Sequence, residues 1–243
     1  MECKDRVAIV TGAAGKGMGR SIALTLAREG AKVVVNYRSS AKEAGEIVSH
    51  IQQQGGQALA VGADVFKLEE CEALVEKTTQ QLGQVDICII GPGADWHTEP
   101  IDKLNVKGAL DDMYQEIAPI YHLMPLLLPG MYQRKWGRFV ALSLGPTFTS
   151  PSYAYNVAKA ARSHALLIAR NHAWQNSVTM NIIGPGPVPE IGSLKEAIDQ
   201  CNHGESWQNR GKVSPQDIAE MVTFLCTEAG RFITGCSIPF KEE

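Results

Sequence analysis

Tyr155 and Lys159 stand four residues apart, a spacing that sets a phenol and an ammonium side by side on one face of a helix. Such a pair is a proton donor with its own activator. An unperturbed tyrosine titrates near ~10, so bringing it to neutrality takes about 4 kcal/mol of phenolate stabilisation. One cation ~4 Å away supplies roughly that at an effective dielectric of ~20. The same spacing arises by chance on many helices, so the pair gains meaning only where a nucleotide meets that face.

The opposite end of the chain offers such a site. Arg6-Val7-Ala8-Ile9-Val10 reads as a strand, and it runs into Thr11-Gly12-Ala13-Ala14-Gly15-Lys16-Gly17-Met18-Gly19. A helical pattern of Ile22, Leu24, Leu26 and Ala27 follows and closes at Gly30. Gly12 is placed for a tight turn, while Gly17 and Gly19 let a diphosphate and the sheet approach the backbone at the helix N-terminus. A second apolar strand, Ala31 to Val35, completes a βαβ unit.

The remaining elements alternate. Strands are expected near 6–11, 31–37, 57–62, 85–90, 137–143, 178–183 and 236–239, with helices near 18–29, 40–54, 67–82, 111–133, 153–176, 194–202 and 215–227. That order predicts an α/β fold of Rossmann type: a doubly wound parallel sheet in a three-layer α/β/α arrangement, with ligands at the carboxyl ends of the strands. A chain of 243 residues with 44% hydrophobic content is expected to form a single domain. Residues 91–110 and 184–213, rich in Gly, Pro and polar side chains, are the expected substrate loops.

Composition narrows the function classes. The net charge is −3 with no basic run, which gives nucleic acid no electrostatic footprint. Six cysteines show no Cys-x-x-Cys or metal spacing, and several fall in apolar runs, as expected of reduced core thiols. No apolar stretch reaches the ~18 residues of a membrane span, and the first strand begins too early for a signal peptide. A cytoplasmic protein without membrane, nucleic-acid or metal partners is the expectation.

Taken together, these residues resemble the short-chain dehydrogenase/reductase family from about Lys4 to Pro239. The matching pieces are Thr11-Gly12 with Gly17-x-Gly19, Asp64-Val65, Val85-Asp86-Ile87, Gly137-Arg138-Phe139-Val140, Tyr155-x-x-x-Lys159, and Asn181 with Pro185-Gly186. Ser214-Pro215-Gln216-Asp217-Ile218-Ala219 and Ile233-Thr234-Gly235 also match. The resemblance implies Tyr155 as general acid/base, Lys159 as its activator and a holder of the nicotinamide ribose, and Ser143 as donor to the substrate oxygen. It places the dinucleotide against Gly12, Lys16, Gly17, Met18, Arg38, Asp64, Val65, Gly91, Tyr155, Lys159, Pro185, Gly186 and Val188. It also implies a homodimer or homotetramer through the helices near 111–133 and 153–176.

Cofactor choice is read at the end of the second strand. An NAD site puts a carboxylate there for the ribose 2′-hydroxyl, whereas this chain has Asn36-Tyr37-Arg38-Ser39-Ser40. Arg38, with Lys16 in the glycine turn, favours a 2′-phosphate and so NADP(H) over NAD(H); the bland alternative is a solvated loop arginine.

The chain departs from the family pattern at several points. The glycine turn has one residue more than usual, and the Asn-Asn-Ala-Gly that follows the fourth strand is here Ile90-Gly91-Pro92-Gly93, which lacks the amides that brace the central strands. Leu144 falls at the serine position, one residue after Ser143, and a one-residue shift in a strand turns a side chain to the other face. Glu116 stands where relatives carry an asparagine that holds a relay water, and Glu190 where many carry a threonine for the nicotinamide amide. Pro119 and Pro125 are expected to kink the Glu116 helix. His97 is a candidate substrate contact, or a solvated loop histidine without a partner.

The resulting expectation is an NADP(H)-dependent oxidoreductase that interconverts an alcohol and a ketone on a small or medium organic substrate. The alternatives are a dinucleotide-binding protein of the same fold with little or no dehydrogenase activity, or unusual non-redox chemistry on that scaffold.

Overall fold

Parallel strands covered on both faces read as near-continuous apolar runs, and the strands of this chain follow that rule apart from a few buried polar residues such as Asn36, Arg138, Thr179 and Asn181. The computed structural model describes residues 1–144, 152–206, 208 and 210–240. Its strands are β1 (Val7–Val10), β2 (Lys32–Tyr37), β3 (Ala58–Gly62), β4 (Ile87–Ile90), β5 (Gly137–Leu142), β6 (Val178–Gly184) and β7 (Ser237–Pro239). They form one sheet of order β3-β2-β1-β4-β5-β6-β7, parallel at every pairing. Chain order reverses between β1 and β4, and the crevice outside the strand ends at that switch is where this topology receives ligands.

The helices are α1 (Met18–Arg28), α2 (Ala41–Gln53), α3 (Leu68–Gln81), α4 (Val106–Arg134), α5 (Tyr153–Trp174), α6 (Leu194–His203) and α7 (Pro215–Cys226), with a 3₁₀ turn at Ile101–Lys103. Successive strand residues point to opposite faces, and the core divides accordingly. Ala8 and Val10 join Ile22, Ile47, Ala197 and Val222 from α1, α2, α6 and α7. Ile9 and Ile90 join Leu74, Ile120 and Leu166 from α3, α4 and α5.

Most expected elements occur within two residues of their expected ends. The exception is α4, which begins at Val106 rather than near 111 because the Asn105 side chain accepts from the Gly108 N–H and caps it. It continues as one element of 29 residues through Pro119, Pro125 and Pro129. Each proline lacks an N–H, so Pro119 leaves the carbonyl of Gln115 without its helical partner, one residue before Glu116. Ser214 and Asp217 form a reciprocal capping box at the start of α7. Among the described residues, no helix is long and apolar enough to cross a membrane.

Candidate active site

The glycine turn is built for close approach. Gly12 has φ +63, and a Cβ there would lie 2.8 Å from Pro92 Cγ; a Cβ on Gly19 would lie 2.7 Å from the Gly12 carbonyl oxygen. Both positions therefore require glycine. Thr11 ties the turn to β4: its hydroxyl donates to the Ile89 carbonyl at 2.9 Å and accepts from the Gly91 N–H at 3.0 Å. Asn36 ties it to β2 and β3, accepting from the Gly12 N–H at 3.3 Å and donating to the Val61 and Ala63 carbonyls. Neither bracing contact was expected from the sequence, because each joins strands far apart along the chain.

Beside this turn, at the carboxyl ends of β1, β2 and β4, lies a cleft of about 450 Å³. Of the expected cofactor residues, Gly12, Arg38, Asp64, Val65, Gly91 and Lys159 line it. Lys16, Gly17, Met18, Tyr155, Pro185, Gly186 and Val188 lie outside that wall. The loop after β6 is nevertheless fastened to the turn, since the Ile191 N–H donates to the Lys16 carbonyl at 2.9 Å and Arg20 donates to the Ile191 carbonyl at 2.7 Å. A second hollow of about 380 Å³, lined by Met1, Lys4, Gly30 and His50, is built from other elements.

These residues fit a nicotinamide dinucleotide. α1 starts at Gly17 with no side-chain cap and no acid in its first turn, and a Cβ on Gly17 would meet nothing within 4 Å. Free N–H groups facing open space at a helix N-terminus suit a diphosphate. Arg38 and Lys16 are exposed, and no ion pair occupies either among the described residues.

Lys159 is almost fully buried, and its Nζ lies 5.3 Å from the centre of the Tyr155 ring. That ammonium is not devoted to the phenol. It lies 3.0 Å from Oε1 of Glu116, a fully buried carboxylate that also accepts from the Ala94 N–H at 2.7 Å. Burial, opposed by Glu116, holds Lys159 below the usual lysine range. Burial and then the Glu116 carboxylate push Tyr155 up to about 12. The expectation that Lys159 draws the phenol toward neutrality is thus altered by Glu116, which lies inside the site and not on the surface.

Ser143 is also placed differently from its expected role. Its Oγ donates to the Lys159 carbonyl at 3.0 Å, and Ser163 Oγ lies 2.9 Å from it and 3.1 Å from the same carbonyl. No hydrogen bond joins Ser143 to Tyr155 among the described residues. β5 ends at Leu142, and the next side chain turns onto α5. His97, by contrast, has a partner: its Nε2 lies 2.6 Å from Oδ2 of the buried Asp112, while Ser152 Oγ donates to the His97 carbonyl. Glu190 is exposed. Thr147 and Ser150, the nearby hydroxyls that could serve as oxygen donor in place of Ser143, lie outside the described residues.

A dinucleotide cleft at the switch point, with a tyrosine and lysine from one helix beside it, defines a Rossmann-type oxidoreductase. The comparisons agree. Residues 12–240 match the family model described as enoyl-(acyl carrier protein) reductase. The chain is 32% identical over 242 residues to 7α-hydroxysteroid dehydrogenase of Escherichia coli K12, covering 95% of this chain and 90% of that protein. It is 31% identical to an uncharacterized oxidoreductase of Methylorubrum extorquens, covering 96% and 94% of the two chains. A solved 7α-hydroxysteroid dehydrogenase, complexed with NADH and 7-oxo glycochenodeoxycholic acid, superposes with a TM-score of 0.84 at 27% identity, covering 98% of this chain and 94% of that one. The chain belongs to the short-chain dehydrogenase/reductase family.

Proposed function

We propose that the protein is an NADP(H)-dependent oxidoreductase that interconverts an alcohol and a ketone on a small or medium organic substrate. The observation that carries this reading is Tyr155, half-buried beside Lys159 on α5, next to a cleft whose floor is the glycine turn. The nicotinamide supplies the hydride when bound. Tyr155 moves the proton at the substrate oxygen, and Lys159 holds the nicotinamide ribose. A phenol held near 12 keeps its proton at neutral pH, so the resting site holds a proton to give to a substrate oxygen. The test is a panel of carbonyl substrates, a 7-oxo steroid among them, run with each nucleotide. Binding of a nucleotide with no reduction across the panel would favour the alternative, a nucleotide-binding protein without dehydrogenase activity, which the engaged hydroxyl of Ser143 supports.

NADPH is expected to bind more tightly than NADH, because β2 ends in Tyr37 and Arg38 without a carboxylate. The NADH bound to the similar solved structure belongs to that protein. A charge-assisted phosphate contact contributes about 1.5–3 kcal/mol, so Arg38→Ala should weaken NADPH binding by ~10–150-fold and leave NADH nearly unchanged. Fluorescence titration of both nucleotides decides it, and equal loss for the two would remove Arg38 from the phosphate.

Ser143 is proposed to support the Lys159 turn rather than to polarise the substrate. Ser143→Ala should then lower turnover by less than about 10-fold, against the 10²–10³ that loss of a preorganised oxyanion donor costs. A larger fall in turnover would return the donor role to Ser143.

A homodimer or homotetramer through α4 and α5 is proposed as well. The exposed apolar side chains Leu110, Tyr114 and Tyr121 on α4, with Val157 and Ile168 on α5, support it. The five buried free cysteines fit a reducing, cytoplasmic setting.

A further inference from the structure

Arg162 is the largest fully buried side chain among the described residues, and no expectation singled it out. It sits three residues after Lys159. Its Nη1 donates to the carbonyls of Gly91, at 3.3 Å, and Leu142, at 3.1 Å, while Nη2 donates to the carbonyl of Pro92. These carbonyls lie at the ends of β4 and β5, where Ile90-Gly91-Pro92-Gly93 offers no side-chain amide. A guanidinium presents five donors in a rigid fork, so one side chain serves three acceptors.

That solution introduces a second buried cation beside Lys159. Glu116 lies between the two, with Oε1 3.0 Å from Lys159 Nζ and Oε2 3.0 Å from Arg162 Nη1. Both protons of Nη1 already point to the Gly91 and Leu142 carbonyls. The contact with Oε2 is therefore one of charge, and neither Oε2 nor Arg162 Nε has a hydrogen bond among the described residues. Space for the carboxylate comes from Gly93, where a Cβ would stand 2.3 Å from Oε1.

We propose that Arg162 is a positioning residue that braces the ends of β4 and β5 in place of side-chain amides, and that Glu116 is there to balance its charge so that Lys159 keeps its ammonium. Gly91-Pro92-Gly93, Glu116 and Arg162 are then one interdependent substitution rather than three separate departures. Without Glu116 the site would hold two facing cations. Without Arg162, an uncharged amide would suffice at position 116. The proposal rests on the proposed function only where Lys159 and Tyr155 act in catalysis; the pairing itself is a property of the fold.

The test is a cycle of Glu116→Gln, Arg162→Gln and the double variant, read first by thermal unfolding of the full chain without nucleotide. Removing one member of a buried ion pair should lower Tm by ~6–20 °C in Glu116→Gln. Adding Arg162→Gln to that variant should raise Tm again, although Arg162→Gln alone lowers it. A soluble double variant beside an insoluble Glu116→Gln is the same result. Equal effects of Arg162→Gln in both backgrounds, or an insoluble double variant, would overturn the pairing. Arg162→Met, which offers no donor, should melt a further ~2–12 °C below Arg162→Gln; equal Tm values would overturn the bracing role.

A second readout separates electrostatics from packing. Tyr155 is faced by Lys159 and Arg162 of its own helix, by Glu116 and Asp112 of α4, and by Asp95 of the loop after β4. The carboxylate raises the phenol and the guanidinium lowers it. The pH at which alcohol oxidation levels off should therefore fall in Glu116→Gln, rise in Arg162→Gln, and return toward the wild-type value in the double variant. An unshifted profile in all three would overturn the charge balance. A wild-type protein with no activity would instead refute the proposed function, and the Tm cycle would still decide the pairing.

Discussion

Tyr155→Phe is expected to keep nucleotide affinity within about threefold of wild type while carbonyl reduction falls by the 10²–10⁴ typical of a lost general acid. The substitution preserves the ring, which is half-buried at the start of α5, and deletes only the transferable proton. The direction of the pH dependence follows from the raised phenol. Reduction needs the protonated form, so its rate should be level across neutral pH and decline only as pH rises toward about 12. Oxidation needs the phenolate and should rise with pH, about tenfold per unit well below that value. Steady-state rates in both directions, with nucleotide titration in parallel, provide the check. Undiminished reduction by the phenylalanine variant would exclude Tyr155 as the acid.

The sheet was legible because its strands are buried on both faces and written in β-branched and apolar residues, as Val33-Val34-Val35 and Ile87-Cys88-Ile89-Ile90 illustrate. Glycines marked the turn because the positive φ of Gly12 and the close approach of Gly19 to the Gly12 carbonyl are constraints local to the turn. The start of α4 was hidden because Val106-Lys107-Gly108 has no apolar period, and the cap comes from the preceding Asn105. Arg162 was hidden for a different reason. A lone arginine in the run Ala160-Ala161-Arg162-Ser163 reads as a surface side chain, and its charge partner lies 46 residues earlier on another helix. No local pattern links the two. Glu116 was located by its place in the family pattern, yet its burial depended on Lys159 and Arg162 converging from α5. His97 was likewise legible as a loop residue, while its contact with Asp112 required the fold.

Lys159→Met is expected to separate activity from stability. The buried cluster holds two cations, Lys159 and Arg162, against the single carboxylate of Glu116. Truncating one partner of a buried pair usually costs about 3–5 kcal/mol because a charge is left uncompensated. Here Arg162 remains 3.0 Å from Glu116, and the Ala94 N–H still donates to it. What remains is a matched pair, and an ammonium that burial already disfavours has been replaced by an apolar chain of similar length. Tm should therefore hold or rise by a few °C, in the way that functional charges often oppose stability. Activity should move the other way. With the ammonium gone, the ribose loses its contact and a developing phenolate would face Glu116 with Arg162 as its only cation on α5, so kcat/KM should fall by about 10²–10³, as when one preorganised electrostatic group is removed. Thermal unfolding and steady-state kinetics on the same preparation test both halves. A drop in Tm of more than about 6 °C would mean that the Lys159–Glu116 contact holds the fold, and unchanged kcat/KM would mean that Tyr155 works without its lysine.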